Sequence, residues 1–273
     1  MIGDTVVKMN SGASIPQVGL GVWQAGTGQE TRDAVTAALR FGYRHVDTAR
    51  IYGNEADVGH AVRESGIPRD QIFVTTKLWN QDQGYDRALR AFDESLGRLG
   101  LEYVDLYLLH WPVAGRRLDS WRALEKLFEE KRARSIGVSN FLVPHIEELL
   151  AHAKVVPAVD QLELTPFLQR TETRALCRKH GIVLEAYSPL TRGQRLAHPV
   201  VTEIAREVGR SPAQVLLRWG LQLGHVVLPK STRPARIAEN GSLFDFTLDD
   251  REMRRLHALE EGLTTGWDPA TQP

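Results

Sequence analysis

The feature that most restricts the fold is an alternation repeated eight times, in which a short, nearly continuous apolar run is followed by a helical pattern. The runs occupy residues 19–23, 43–46, 72–76, 104–109, 135–139, 159–164, 182–187 and 226–228. Strands that are apolar on both faces belong in a parallel sheet covered by helices, and eight of them close into a barrel. At 273 residues the chain slightly exceeds the roughly 250 typical of a (β/α)8 barrel, so residues 1–273 are read as a single α/β barrel domain. Two β-like runs, 5–9 and 14–18, flank the turn-rich Asn10-Ser11-Gly12-Ala13 and predict an N-terminal hairpin. Two helical patterns, 211–223 and 249–260, have no place in the eightfold repeat and are expected as additions on the outside. The helix from Glu55 is expected to turn Ala56, Val58, Ala61 and Val62 to the core, and Ser120 is the expected cap of the helix through Leu124 and Leu127.

Polar residues at the ends of the runs point to chemistry. Asp47 and Tyr52 lie in the turn after the second run, Lys77 closes the third, His110 the fourth and Asn140 the fifth. Barrels carry their sites at the carboxyl ends of their strands, so these residues are expected around one mouth. A phenol with a pKa of about 10 is a weak acid at neutral pH; a nearby ammonium makes it stronger, and a carboxylate keeps that ammonium charged and in place. Asp47 with Lys77 is the obvious couple, and His110 stands at the same mouth as a further hydrogen-bond donor or acceptor.

Other classes are set aside by what the chain carries. The formal net charge is zero, with 34 basic and 34 acidic residues, which gives no reason to expect nucleic acid or an anionic membrane as partner. The only cysteine, Cys177, fits a reducing compartment and reads as a packing residue. No signal-peptide pattern opens the sequence and no apolar stretch reaches the roughly 20 residues of a membrane span, so a cytoplasmic protein is expected, as a monomer. Gly19-Leu20-Gly21-Val22-Trp23-Gln24 lacks the third glycine of the dinucleotide fingerprint. Lys230-Ser231-Thr232 has no glycine loop before it, and no metal-binding cluster is present.

Asp47 to Glu55, Lys77, Leu109-His110-Trp111-Pro112, Gly137-Val138-Ser139-Asn140-Phe141, Gln161, Tyr187-Ser188-Pro189-Leu190 and Pro229-Lys230-Ser231 through Asn240, taken in this order, resemble the aldo-keto reductase family over essentially the whole chain. Within it the sequence is most similar to short-looped bacterial members related to 2,5-diketo-D-gluconate reductase. The resemblance implies NADPH-dependent reduction of aldehydes, ketones, dicarbonyls or keto sugars. Tyr52 would be the proton donor, supported by Lys77 and Asp47, with His110 orienting the substrate. It places the nicotinamide against Ser139, Asn140, Gln161 and Tyr187, and the pyrophosphate near Ser188 and Leu190. Lys230, Ser231, Thr232, Arg233, Arg236, Glu239 and Asn240 would hold the 2′-phosphate and adenine, and this cation cluster argues for NADPH over NADH. Trp23, Trp79 and Trp111 are expected as the substrate wall. Arg50 is expected to face outward, Gly241 to loosen the adenine-side helix, and the tail from Gly262 either covers the mouth or does not. The alternative is a cofactor-sensing regulatory subunit with little turnover; the complete set Asp47, Tyr52, Lys77 and His110 argues against it.

Overall fold

The computed structural model describes residues 2–271. Strands β1 (Val6–Lys8) and β2 (Ser14–Pro16) form the N-terminal hairpin, with Val7 opposite Ile15. Met9 and Ile15 pack on Phe73, Leu106, Val159, Val183 and Val226 from the lower parts of the barrel strands, so the hairpin stops one end of the barrel. The barrel follows as β3 (Leu20–Gly21), β4 (His45–Asp47), β5 (Phe73–Leu78), β6 (Leu106–Leu109), β7 (Ile136–Ser139), β8 (Val159–Glu163), β9 (Val183–Tyr187) and β10 (Val226–Leu228). Each pairs in parallel with its sequence neighbour. Parallel bridges from Val18 to Val227 and from Gly21 to Lys230 close the ring, which leaves no edge to protect.

The helices are α1 (Gln29–Phe41), α2 (Glu55–Arg63), α3 (Tyr85–Leu99), α4 (Arg117–Glu129), α5 (Val143–His152), α6 (Thr171–Lys179), α7 (Pro199–Glu207), α8 (Pro212–Gln222), α9 (Pro234–Gly241) and α10 (Asp250–His257). Their ends follow from local chemistry. Ser211 and Gln214 form a reciprocal capping box before Pro212, and Asp249 with Glu252 does the same for α10. Gly42 and Gly100 end α1 and α3 with φ of 116° and 62°, a conformation glycine takes without penalty. Among the described residues no helix is long and apolar enough to cross a membrane.

Four details differ from the sequence reading. Helix α8 is not an outside addition: it packs on β10, and its Leu217 and Leu221 join the main core. The extra helices are α7 and α10, whose Val201, Ile204, Ala205 and Leu256 form a separate cluster with the other face of α8. Each of these helices is amphipathic in sequence, and only packing decides which one the sheet accepts. Ser120 lies inside α4 rather than at its cap, where its Oγ accepts from Gly84 N at 2.8 Å and donates to Arg116 O at 2.8 Å. Ala56 is exposed, because α2 turns Val58, Gly59, Ala61 and Val62 inward instead. Gly241 tightens its helix: a methyl group there would press on Phe41, Ile2 and Tyr43 at 2.7–3.0 Å.

Gly59 marks the closest approach of α2 to the end of α3, where a β-carbon would overlap the carbonyl of Leu99. Backbone cannot step aside as a side chain does, so Gly59→Ala should lower the unfolding free energy by about 1–3 kcal/mol in urea titration. A stability unchanged within error would show that the two helices separate freely.

Candidate active site

Charge enters the barrel mouth on adjacent strands. Asp47 ends β4, and Lys77 stands in β5, two residues beyond the Thr75 that pairs with Asp47. The Lys77 side chain is fully buried, its ammonium donating to Asp47 Oδ1 at 2.6 Å and to the carbonyl of Thr48 at 2.9 Å. A buried ammonium persists only when paired and hydrogen-bonded, and these two acceptors meet that requirement. Beyond Asp47 a single helical turn, Arg50–Tyr52, is halted by Gly53 at φ 72°. This turn sets the Tyr52 ring 5.2 Å from the ammonium. His110 follows β6, tied down through its backbone N–H to Leu78 O at 3.2 Å. Its ring stands nearly perpendicular to those of Tyr52 and Trp79, at 5.8 and 5.3 Å between centres. All four residues expected around the mouth are thus brought together.

Electrostatics give each group a definite state. Burial, with a smaller push from Lys77, holds the His110 imidazole well below its ordinary pKa, so the ring is neutral at pH 7. Its Nδ1 is buried without a hydrogen-bond partner, which favours the tautomer carrying its proton on Nε2, since a stranded donor costs more than a stranded acceptor. Burial also lifts the Asp47 carboxyl, against the pull of Lys77. The Tyr52 phenol is pushed well above its usual value, by burial first and then by the charges of Asp47 and Glu185. The ammonium alone therefore does not make this phenol a strong acid.

A second layer fixes the polar floor. Ser139 Oγ donates to Gln161 O at 2.8 Å, and Asn140 Nδ2 donates to His110 O at 2.9 Å. The Tyr187 hydroxyl donates to Asn140 Oδ1 at 2.8 Å. Asn140 and Ser188 are held at φ 65° and 47°, in the left-handed region that non-glycine residues seldom occupy. Gln161 Nε2 donates to both Asp47 Oδ2, at 2.8 Å, and Glu185 Oε2, at 2.6 Å.

These groups open on one cavity of about 880 Å³. Asp47, Tyr52 and His110 line it together with Trp23, Trp79 and Trp111, and Ser139, Asn140, Gln161, Tyr187, Ser188 and Leu190 continue the wall. Lys230, Ser231, Arg236, Glu239 and Asn240 line it as well. Lys77 lies behind this wall, and Thr232 and Arg233 are not part of it: the Ser231 hydroxyl accepts the backbone N–H of Arg233 at 3.1 Å as α9 begins, and the Arg233 side chain is exposed. Arg50 does not line the cavity.

Of three further contributors, the sequence reading leaves the tail an open question and does not single out the other two as site residues. The tail does fold over the mouth: Thr265 donates its backbone N–H and hydroxyl to Glu163, and Arg170 pairs with Asp268 at 3.1 Å. Trp267, 62% exposed, leans on Trp111 with 5.9 Å between ring centres; Gln272 and Pro273 lie outside the described residues. Arg192 crosses from the loop after β9 to stack 4.7 Å from the Trp23 ring and to donate to Thr265 O at 2.8 Å. Glu185, fully buried below the floor, is the third. A lone acid inside the apolar run 182–187 was the available signal for it. Cys177 is buried and its thiol is pushed up by burial, which makes it inert packing.

Residues 17–261 match the model of the aldo/keto reductase family. The chain belongs to that family. It is 48% identical to glyoxal reductase of Bacillus subtilis over 263 residues, covering 96% of this chain and 95% of the relative. It is 49% identical to 9,11-endoperoxide prostaglandin H2 reductase of Trypanosoma cruzi, covering 96% and 94%. A crystal structure of a mutant of Gox0644 in complex with NADPH superposes with a TM-score of 0.94 at 42% identity, covering 98% of each chain.

For this aldo/keto reductase, the buried setting of His110 has a direct consequence. Its ring nitrogens should show the neutral pattern in ¹⁵N NMR down to about pH 5, where a free imidazole is mostly charged. A ring titrating near 6.5 would contradict the geometry.

Proposed function

We infer that this aldo/keto reductase uses NADPH to reduce the carbonyl group of aldehydes and ketones, with Tyr52 as proton donor. The observation that carries the reading is the meeting of Asp47, Lys77, Tyr52 and His110 at a cavity that Lys230, Ser231 and Arg236 also line.

The wall suits a dinucleotide phosphate on this structure's own terms. It offers a flat aromatic face at Tyr187, side-chain amides at Asn140 and Gln161, and the strained backbone turn at Ser188, the kind of feature held where a ligand is clamped. Both hydrogens of the Gln161 amide are spent on Asp47 and Glu185, so its oxygen remains to accept from a carboxamide. Lys230, Ser231 and Arg236 would receive the 2′-phosphate, and Glu239 and Asn240 the adenine edge. When bound, NADPH supplies the hydride.

The protein's own part is positioning and proton supply. His110 donates from Nε2 to the substrate oxygen and stabilises the charge that develops there. Tyr52 then gives its proton to that oxygen. Two of the three ammonium donors of Lys77 are committed to Asp47 and Thr48, and the third is left for the phenolate oxygen as its proton departs. This transient stabilisation offsets the burial that otherwise holds the phenol's acidity down. Trp23, Trp79, Trp111 and Trp267 give the mouth an aromatic lining. The short loops around it make a more open pocket, tolerant of small polar or varied carbonyls, dicarbonyls and keto sugars among them.

Tyr52→Phe should retain NADPH affinity within about twofold and lose about 10³-fold in kcat, the usual scale for a lost general acid, as read by absorbance at 340 nm and cofactor fluorescence. Unchanged turnover would overturn the mechanism. Arg236→Ala should raise KM for NADPH about tenfold and leave KM for NADH within about twofold. Equal effects on both would remove the phosphate role.

A further inference from the structure

The cavity wall stops at Gln161, but the hydrogen-bonded chain does not. Glu185 in β9 pairs in register with Gln161 of β8, and the two carboxyls of Glu185 and Asp47 converge on the one Gln161 amide nitrogen, at 2.6 and 2.8 Å. Glu185 is fully buried, and its second oxygen, Oε1, has no hydrogen-bond partner. That oxygen faces His45 Nε2 at 3.6 Å, whose own contact is Thr75 Oγ1 at 3.1 Å. The titratable groups around Glu185 are His45 and Asp47 of β4, Lys77 of β5 and the phenol of Tyr52; on its other side β10 sets Val226 in register with it.

Counting charges shows what this acid does. Burial holds His45 neutral, with its pKa brought down to about 3, so Lys77 is the only cation in the group. One ammonium balances one carboxylate, and Asp47 holds that partnership at 2.6 Å. An ionised Glu185 would be a second buried anion with an undonated oxygen, an arrangement that favours the neutral acid.

We propose that Glu185 is a positioning residue for carbonyl reduction that acts on Tyr52 through Gln161 and Asp47: uncharged, it leaves Lys77 matched by a single carboxylate, and ionised, it sets a second negative charge beneath the phenol and slows proton release. The inference rests on the reading of Tyr52 as proton donor. Burial and the neighbouring Asp47 push the Glu185 carboxyl up to about 8, so the change falls on the alkaline side of neutrality. The charge it gains there also raises the phenol further. The sign is fixed: reduction is faster below this transition and slower above it.

Glu185→Gln keeps the acceptor for Gln161 and cannot ionise. Between about pH 6 and about pH 10, wild-type kcat/KM for an aldehyde with NADPH should fall about fivefold through a transition near 8, and the profile of E185Q should lack that transition. A transition that persists in E185Q, or none in wild type, overturns the proposal. A second measurement needs no turnover. In the full-length protein labelled with ¹³C-carboxyl glutamate and without added cofactor, one resonance, missing from E185Q, should titrate near 8; titration in the ordinary range near 4.3 overturns the proposal. If E185Q fails to fold, Glu185→Met supplies the assignment. Loss of turnover in Tyr52→Phe with an unaltered E185Q profile would sink this inference alone, whereas full turnover in Tyr52→Phe would sink the reading beneath it.

Discussion

A single buried ion pair, Lys77 with Asp47, is what the site is built around. An isolated ammonium on a barrel strand with no solvent exposure would lose its proton or unfold its surroundings, because desolvation opposes the charged form. Asp47 and the Thr48 carbonyl prevent that, and they do so from the neighbouring strand, where the parallel register between β4 and β5 brings them within reach. Removing one member of such a pair typically costs about 3–5 kcal/mol, whereas replacing both with apolar groups is often neutral. The pair is therefore poor evidence for a stability role. Its value is geometric: it holds a positive charge 5.2 Å from the centre of a phenol ring that opens on the cavity.

That geometry also explains why sequence reasoning finds the four mouth residues and misses the layer below. Asp47, Tyr52 and His110 come after or at the ends of apolar runs, where polar side chains have no packing reason to be, and so they stand out. Lys77 stands out as a cation bordering the run 72–76. Glu185 interrupts an apolar run, and nothing local in the sequence records whether its face of the strand turns to the barrel interior or to the covering helices. Trp267 and Arg192 lie in loops without periodicity, and their contacts span 156 and 169 residues of sequence, to Trp111 and Trp23. The exchange of roles between α7 and α8 has the same origin. Both helices carry an apolar face, and whether it meets the sheet or another helix depends on packing that no local pattern records.

The cavity wall is of two chemical kinds. Around Asp47, Tyr52 and His110 it is aromatic with few polar groups, and the Asn140 side chain beside them is held by hydrogen bonds to His110 O and from Tyr187. Lys230 and Arg236 are exposed, and among the described residues neither sits in an ion pair that would compete for an anion. Rigid placement suits a reaction whose atoms must meet within fractions of an ångström, and adaptable long cations suit the capture of a phosphate. The tail reinforces the first kind only, since Glu163 and Arg170 anchor Thr265 and Asp268 beside the tryptophans.

A barrel interior is ordinarily filled by branched aliphatic residues, and the hairpin end of this one is: Ile15, Leu106, Leu108, Val159 and Val226 pack there. In register with Leu106 and Val226, however, stand Thr75 and Glu185, which with His45 and Gln161 make a polar layer, all buried and hydrogen-bonded to one another or to the ion pair. Such a layer gains less from burial than an apolar one and leaves Glu185 Oε1 and His45 Nδ1 unpartnered. Packing alone would not select it. A polar layer with one cation among two acids does, however, make the field at the mouth depend on a single proton, and Gln161, whose one amide nitrogen donates a hydrogen to each acid, is the physical link between that proton and the pair that faces Tyr52.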